Sequence, residues 1–253
     1  MMIINKNIVD MRAKPCFQSE RVSQALYNTS CKICDEANPD WVEIETPDGY
    51  RGWIAKRHLS EPPAEDGPEW KVKSCFATVK ALSTGDPITK FVFDTRFHAQ
   101  EKGNDLIFML PDGILAKISK RFCKPAKEEP LQRIRQLAKR FLGVPYLWGG
   151  VSPFGFDCSG YVQRLFHYCG VQIPRDTDQQ RKFGEQVRSL QELEFGDLAF
   201  FPGHVGLYLG DGLLIHANLH YNGVAISDLY DDRDPYNRFL RENFIEGRRV
   251  KKR

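Results

Sequence analysis

The sequence predicts a multi-domain chain, two small all-β barrels followed by an α+β domain, and three observations carry that prediction. Two stretches rich in proline and acid, SEPPAEDGPE from Ser60 and KPAKEEP from Lys124, divide the 253 residues into parts at 1–62, 68–125 and 126–253. The first two parts carry short β-prone runs separated by turn residues. The third opens with apolar residues at helical spacing and closes on alternating strands.

In the first part the runs fall at 23–27, 30–34, 41–45 and 50–54, separated by Asn38-Pro39-Asp40 and Pro47-Asp48-Gly49. In the second they fall at 89–94, 105–109 and 114–118, with Pro111-Asp112-Gly113 before the last. This is read as a second, more divergent barrel; an extension of the first is the alternative. In the third part Leu131, Ile134, Leu137, Ala138 and Phe141 form one helical stripe, and Gly143 supplies a stop. A second helix follows Cys158, with Val162, Leu165, Phe166 and Cys169 on one face and Gly170 beyond its end. Strands are expected at 197–201, 204–209, 213–217 and 224–228.

Apolar residues make up 42% of the chain and charged residues 27%, as in a globular protein rather than a disordered or membrane-spanning one. The net charge of +3 argues against a nucleic-acid partner, and the terminal Arg248, Arg249, Lys251, Lys252 and Arg253 read as a solvated end. The first residues lack the apolar core of a secretory signal and no stretch is long enough to span a bilayer, so a cytoplasmic location is expected. Seven cysteines at irregular spacing do not resemble a disulfide framework, and at least one thiol should be free. Cys31 and Cys34 have the spacing of a metal or redox pair, but no second pair follows, so they read as structural and no metal is expected. His58, His98, His167 and His220 form no ligand pattern. No glycine-rich phosphate loop precedes a helix, so no nucleotide cofactor is expected.

The chemistry concentrates in the third part. Cys158 opens a helix, where the positive end of the helix dipole and a nearby imidazolium favour a thiolate; thiols so placed titrate between about 3.5 and 7.5 instead of about 8.5. A buried helix cysteine is the commoner fate, and Cys169 fits that role. His204 and His216 lie on strands joined by Gly210-Asp211-Gly212. A three-residue loop sets Leu209 opposite Leu213 and Gly206 opposite His216, with both imidazoles on one face, one diagonal step apart. A two-residue loop sets them on opposite faces. Catalysis therefore predicts the three-residue loop, with room left at Gly206 for the His216 ring. His204 then takes the thiol proton and returns it to a leaving amine, while His216 orients it. One histidine on a half-buried strand is usually a packing residue; two on one hairpin beside a helix-start cysteine are not.

Phe156-Asp157-Cys158-Ser159-Gly160-Tyr161-Val162 and Pro145-Tyr146-Leu147-Trp148-Gly149-Gly150 recur in the NlpC family. So do Pro174-Arg175-Asp176-Thr177, Gly196-Asp197-Leu198, His204-Val205-Gly206-Leu207-Tyr208 and Ile215-His216-Ala217. About half of the chain resembles that family in order and spacing. Residues 11–54, with Arg12-Ala13-Lys14-Pro15 and Gly49-Tyr50-Arg51-Gly52-Trp53-Ile54, resemble a bacterial SH3-like domain. The resemblance implies a papain-like cysteine peptidase that cuts the γ-D-glutamyl–diamino acid bond of peptidoglycan peptides, with Cys158, His204 and His216 as its triad. It makes Tyr146 a partner of the Cys158 backbone N–H in an oxyanion hole. Members with amino-terminal SH3-like barrels take released peptides with a free L-alanine amine, and Asp157 matches the carboxylate that holds that ammonium. Ser159 and Thr177 match polar residues lining the site, and Tyr50 and Glu20 of the first barrel are candidates for closing it.

Two rivals remain on the sequence alone. The same apparatus serves an amidase or acyltransferase, because cysteine and histidine specify only acyl transfer through a thioester. A cell-wall-binding protein with an inactive hydrolase is the other, and the intact cysteine and histidines speak against it.

Overall fold

The computed structural model describes every residue except Ala37, Glu65, Lys252 and Arg253. Two compact units emerge, Met1–Lys127 and Glu128–Arg253. The first contains both predicted β parts, each with its own strands and core. Residues 2–60 form a seven-stranded antiparallel sheet ordered 21–26, 8–12, 51–55, 41–45, 30–35, 2–4, 59–60. Alternating residues supply the core: Ile4, Val9, Met11, Val42, Ile44 and Ile54. Cys31 is buried in that core, where desolvation pushes its thiol up to about 12.

Residues 69–125 make a five-stranded and a three-stranded sheet around Val72, Val79, Phe91, Phe97, Leu106, Phe108 and Ile118. No strand is shared with the seven-stranded sheet, which argues against a simple extension of it. Tyr27 bridges the two bodies: it joins the second core and stacks on Phe91 with centroids 4.4 Å apart. The strands Met2–Ile4, Ile8–Arg12 and Leu59–Ser60 are not among those the sequence predicts; at two to five residues they are too short for alternation to stand out.

The second unit builds a six-stranded antiparallel sheet in the order 185–187, 246–249, 198–201, 204–210, 213–218, 223–228. Its last four strands are the predicted meander. Helix Cys158–Tyr168 packs against strands His204–Gly210 and Leu213–Asn218, burying Val162, Leu165, Phe166 and Cys169. The predicted first helix is a 3-10 turn, Leu131–Arg133, running into helix Ile134–Lys139. Helix Pro235–Glu242, absent from the sequence expectation, places Leu240 in a cluster with Phe201, Tyr208 and Leu214.

The solvated-tail reading is corrected for the residues described. Glu246–Arg249 is an inner strand, paired with Glu185–Val187 on one side and Leu198–Phe201 on the other. The charges are tolerated there because they are paired: Arg249 grips Asp197 at 3.0 and 2.8 Å, and Arg248 reaches Glu246 at 3.2 Å. Lys252 and Arg253 lie outside the described residues.

Candidate active site

The site assembles where the start of helix Cys158–Tyr168 meets the sheet. Asp157 caps that helix, its Oδ1 accepting from Gly160 N at 2.7 Å. Gly160 is tight against the Gly150 carbonyl, so any larger residue would push the helix start away from the loop that precedes it. That loop returns the contact, as Gly149 N donates to Asp157 Oδ2 at 2.9 Å. Arg175 completes the arrangement with a two-pronged grip on Asp157, at 3.1 and 2.5 Å, and a 2.8 Å hydrogen bond to Ser159 Oγ. The guanidinium is 2% exposed and the carboxylate is buried.

On the sheet side the register is that of one face. Leu207 pairs with Ile215 and Tyr208 with Leu214, which sets Gly206 opposite His216 as the sequence predicts. The loop itself differs from the expectation. Gly210 pairs with Leu213 across a two-residue turn, Asp211 and Gly212, both at positive φ, and a bulge at Leu209 absorbs the extra residue. Two-residue turn plus bulge preserves the register that a three-residue loop was needed to produce. Gly206 also serves another neighbour than expected: a Cβ there would strike Leu214, not the His216 ring.

His204 Nε2 and His216 Nδ1 stand 2.7 Å apart, and His216 Nε2 lies 3.0 Å from Ser227 Oγ on the next strand. The thiol of Cys158 lies 3.8 Å from Thr177 Oγ1, and the backbone of Val205, the residue after His204, acts to lower its pKa. The helix that Cys158 opens packs against the histidine strand. Since His204 commits Nε2 to His216, Nδ1 is the nitrogen left for the thiol proton.

Burial dominates the electrostatics. It holds His204 down at about 4 and His216 well below its ordinary value, with His204 and His220 adding to the latter. It also pushes the Cys158 thiol up, helped by Asp157 and opposed by Val205 N–H, Thr177 and Ser159. The expectation of a depressed thiol is corrected: at 7% exposure, desolvation outweighs the helix dipole. Tyr146 is half-buried, and burial raises its hydroxyl, with smaller contributions in the same direction from Cys158 and Asp157.

The structure thus brings together Cys158, His204, His216, Tyr146, Asp157, Ser159 and Thr177. Asp157 differs from the expectation of an open carboxylate: Arg175, Ser159 and two backbone N–H groups already occupy its oxygens. Tyr50 and Glu20 belong to the first unit, where Tyr50 packs on the barrel core and donates to Val22 O at 3.4 Å, while Glu20 is exposed. Sequence reasoning missed Arg175 as the counter-ion, Ser227 as the partner of His216, and Tyr236. The Tyr236 ring lies parallel to His216 at 6.1 Å and to His220 at 4.2 Å, and its hydroxyl is raised to about 12 by burial, Tyr221, Cys158 and Asp234. Arg175 had a signal, because it stands in a motif already singled out; the others had none.

A cysteine at a helix start, beside a histidine strand of an antiparallel sheet, defines the second unit as a papain-like hydrolase domain of the peptidase class. Residues 143–241 match the NlpC/P60 family, and residues 11–59 match the bacterial dipeptidyl-peptidase Sh3 domain. The chain is 30% identical over 231 residues to a γ-D-glutamyl-L-lysine dipeptidyl-peptidase of Bacillus subtilis (strain 168), spanning 82% of this chain and 76% of that protein. It is 28% identical over 257 residues to dipeptidyl-peptidase 6 of Lysinibacillus sphaericus, spanning 92% and 93%. The crystal structure of an NlpC/P60 family protein from Bacillus cereus ATCC 10987 shares the fold, with a TM-score of 0.85 over 98% of this chain and 99% of that one at 23% identity. The chain belongs to the NlpC/P60 family and carries an amino-terminal SH3 domain of the dipeptidyl-peptidase kind.

Proposed function

We propose that this protein is a cysteine peptidase that hydrolyses the γ-D-glutamyl–diamino acid bond of peptidoglycan-derived peptides bearing a free amino-terminal L-alanine. The observation that carries the reading is the 2.7 Å imidazole pair on the two strands that pack against the helix opened by Cys158. Such a pair leaves one nitrogen free for the thiol proton and pins the ring that carries it.

His204 Nδ1 takes the proton as Cys158 Sγ attacks the γ-carbonyl carbon, forming a carbon–sulfur bond and an oxyanion. The Tyr146 hydroxyl and the Cys158 backbone N–H receive that oxyanion. Collapse breaks the carbon–nitrogen bond, and the imidazolium gives its proton to the departing amine. Water then attacks the thioester, losing a proton to His204; the γ-carboxylic acid leaves and the thiol is restored.

Two relatives are named dipeptidyl-peptidases, and release of a dipeptide requires the substrate amino terminus to sit two residues from the scissile bond. That supports a free-amine preference. Asp157 remains its candidate anchor, though an ammonium there shares the carboxylate with Arg175. We also read residues 68–125 as a divergent SH3-like barrel, which their separate sheets and core support.

The test is mass spectrometry of products from L-Ala-γ-D-Glu-diamino-acid peptides, free or N-acetylated, with wild type and Cys158→Ala. The expected result is L-Ala-γ-D-Glu released from free-amine peptides by the wild type alone. Equal cleavage of acetylated peptides removes the amine anchor, and transfer to an added amine in place of water points to an acyltransferase.

A further inference from the structure

The turn between strands Met2–Ile4 and Ile8–Arg12 carries three polar residues in a row, Asn5, Lys6 and Asn7. Asn5 fastens that turn: its Nδ2 donates to the carbonyls of Arg57 and Leu59 at 3.1 and 3.0 Å. Two carbonyl acceptors fix which end of the amide is which, so Asn5 Oδ1 is left as an acceptor. No donor meets it. Asn5 Oδ1, Asn7 Oδ1 and Ser60 Oγ are all sealed from solvent and have no hydrogen-bond partner among the described residues. Such atoms are uncommon in folded proteins, because each has given up its hydration for nothing in return.

All three residues line one cleft of about 290 Å³ within the first unit, where the seven-stranded sheet meets the second β body. The second body contributes Leu110, Pro111 and Asp112, from the turn between strands Asp105–Met109 and Leu115–Ser119. Leu110 is buried, and Asp112 holds the turn by accepting from Ile114 N at 3.2 Å. The lining therefore combines three unpaired oxygens, an apolar wall and two exposed charges of opposite sign, Lys6 and Asp112.

We propose that this cleft binds a small zwitterion, a free amino acid or a dipeptide, at a site separate from peptide hydrolysis. Three acceptors without donors match the three N–H donors of one primary ammonium, and Asp112 adds the countercharge. Lys6 meets the carboxylate at the other end of the ligand, and Leu110 and Pro111 take its apolar part. The volume lies at the small end of ligand sites, too small for a longer peptide. A neutral sugar leaves both charges unused, and a bare metal cation meets the Lys6 ammonium in the same cleft. The inference goes beyond the peptidase reading and needs neither Cys158 nor the histidines.

Calorimetry and NMR on the full chain carrying Cys158→Ala test this with L-alanine, L-lysine and L-Ala-γ-D-Glu as probes. At least one is expected to bind with a Kd below about 1 mM, to lose that binding when its amine is acetylated, and to shift the backbone amides of Lys6, Asn7, Ser60 and Asp112. Whichever probe binds most tightly tells a free amino acid from a dipeptide. Asn7→Ala and Ser60→Ala should each weaken binding about ten-fold, as the loss of one hydrogen bond to a charged group does, and Lys6→Glu should weaken it through the carboxylate. Both alanine variants should unfold at the wild-type urea concentration or above it, because the oxygens they remove have no partner to lose. No binding by any probe, equal binding of the acetylated forms, shifts confined to residues 128–253, or glucose bound in place of the amines overturns the proposal. So does a lower urea midpoint in both alanine variants, which gives Asn7 and Ser60 a structural role instead. Failure of the peptidase reading leaves these readouts standing, since none of them measures hydrolysis.

Discussion

The two units bury polar groups very differently. In the first, the buried polar or charged residues among those described are Ser23, Lys71, Asp94 and Thr95, and the cores are otherwise apolar. The second seals away Asp157, Ser159, Arg175, Gln180, His216, Asn218, Ser227 and Glu246, among others. A buried polar group costs free energy unless it is fully hydrogen-bonded, and a buried charge costs more. The first unit therefore reads as a scaffold stabilised by apolar packing. The second gives up some of that stability to hold a carboxylate, a guanidinium and two imidazoles in fixed geometry.

The sharpest contrast is in activity. Cys158→Ala should reduce hydrolysis to background, about a thousand-fold or more below wild type, with an unchanged circular dichroism spectrum. Next comes Arg175→Met, which strands the buried Asp157 carboxylate: a loss of about 3–5 kcal/mol in urea unfolding is expected. Replacing both partners, Arg175→Met with Asp157→Asn, should recover part of it, and an equal loss in the double variant would show that the pair is not coupled.

Acid should act on the second unit first. His204 titrates near 4 in the folded chain and at 6.5 unfolded, so between those values the unfolded chain binds the extra proton. Stability is therefore held above about pH 6.5 and falls as pH drops towards 4, by roughly 3 kcal/mol from this residue alone. His216 shifts in the same direction and adds to the loss. Hydrogen exchange at pH 7 and pH 5 checks this: the second unit should lose protection, and greater loss in residues 1–127 would break the comparison. The smallest effect is in the first barrel, where Ile44, 0% exposed, becomes Val: about 1 kcal/mol by denaturation, with kcat and KM intact.

Much of this was legible in the chain before any coordinates. The meander strands stand where alternation placed them, and the helix begins at Cys158. The pairing of Gly206 with His216 followed from pattern and turn chemistry even though the turn was of another kind. Glu246–Arg249 was not legible, because an inner strand made of charged residues looks like a solvated tail until Asp197 and Glu185–Val187 are known to flank it. The thiol was misjudged for a related reason: a helix start is visible in sequence, but the depth at which it lies is not.

By itself, the sequence determined the cysteine at the helix start, the two histidines and the face they share, because local periodicity and turn residues carry that information at short range. Only the tertiary structure decided what surrounds them: Arg175 against Asp157, Ser227 behind His216, Tyr236 over both His216 and His220. These partners arrive from distant segments, and burial depth and hydrogen-bond saturation belong to the folded neighbourhood as a whole.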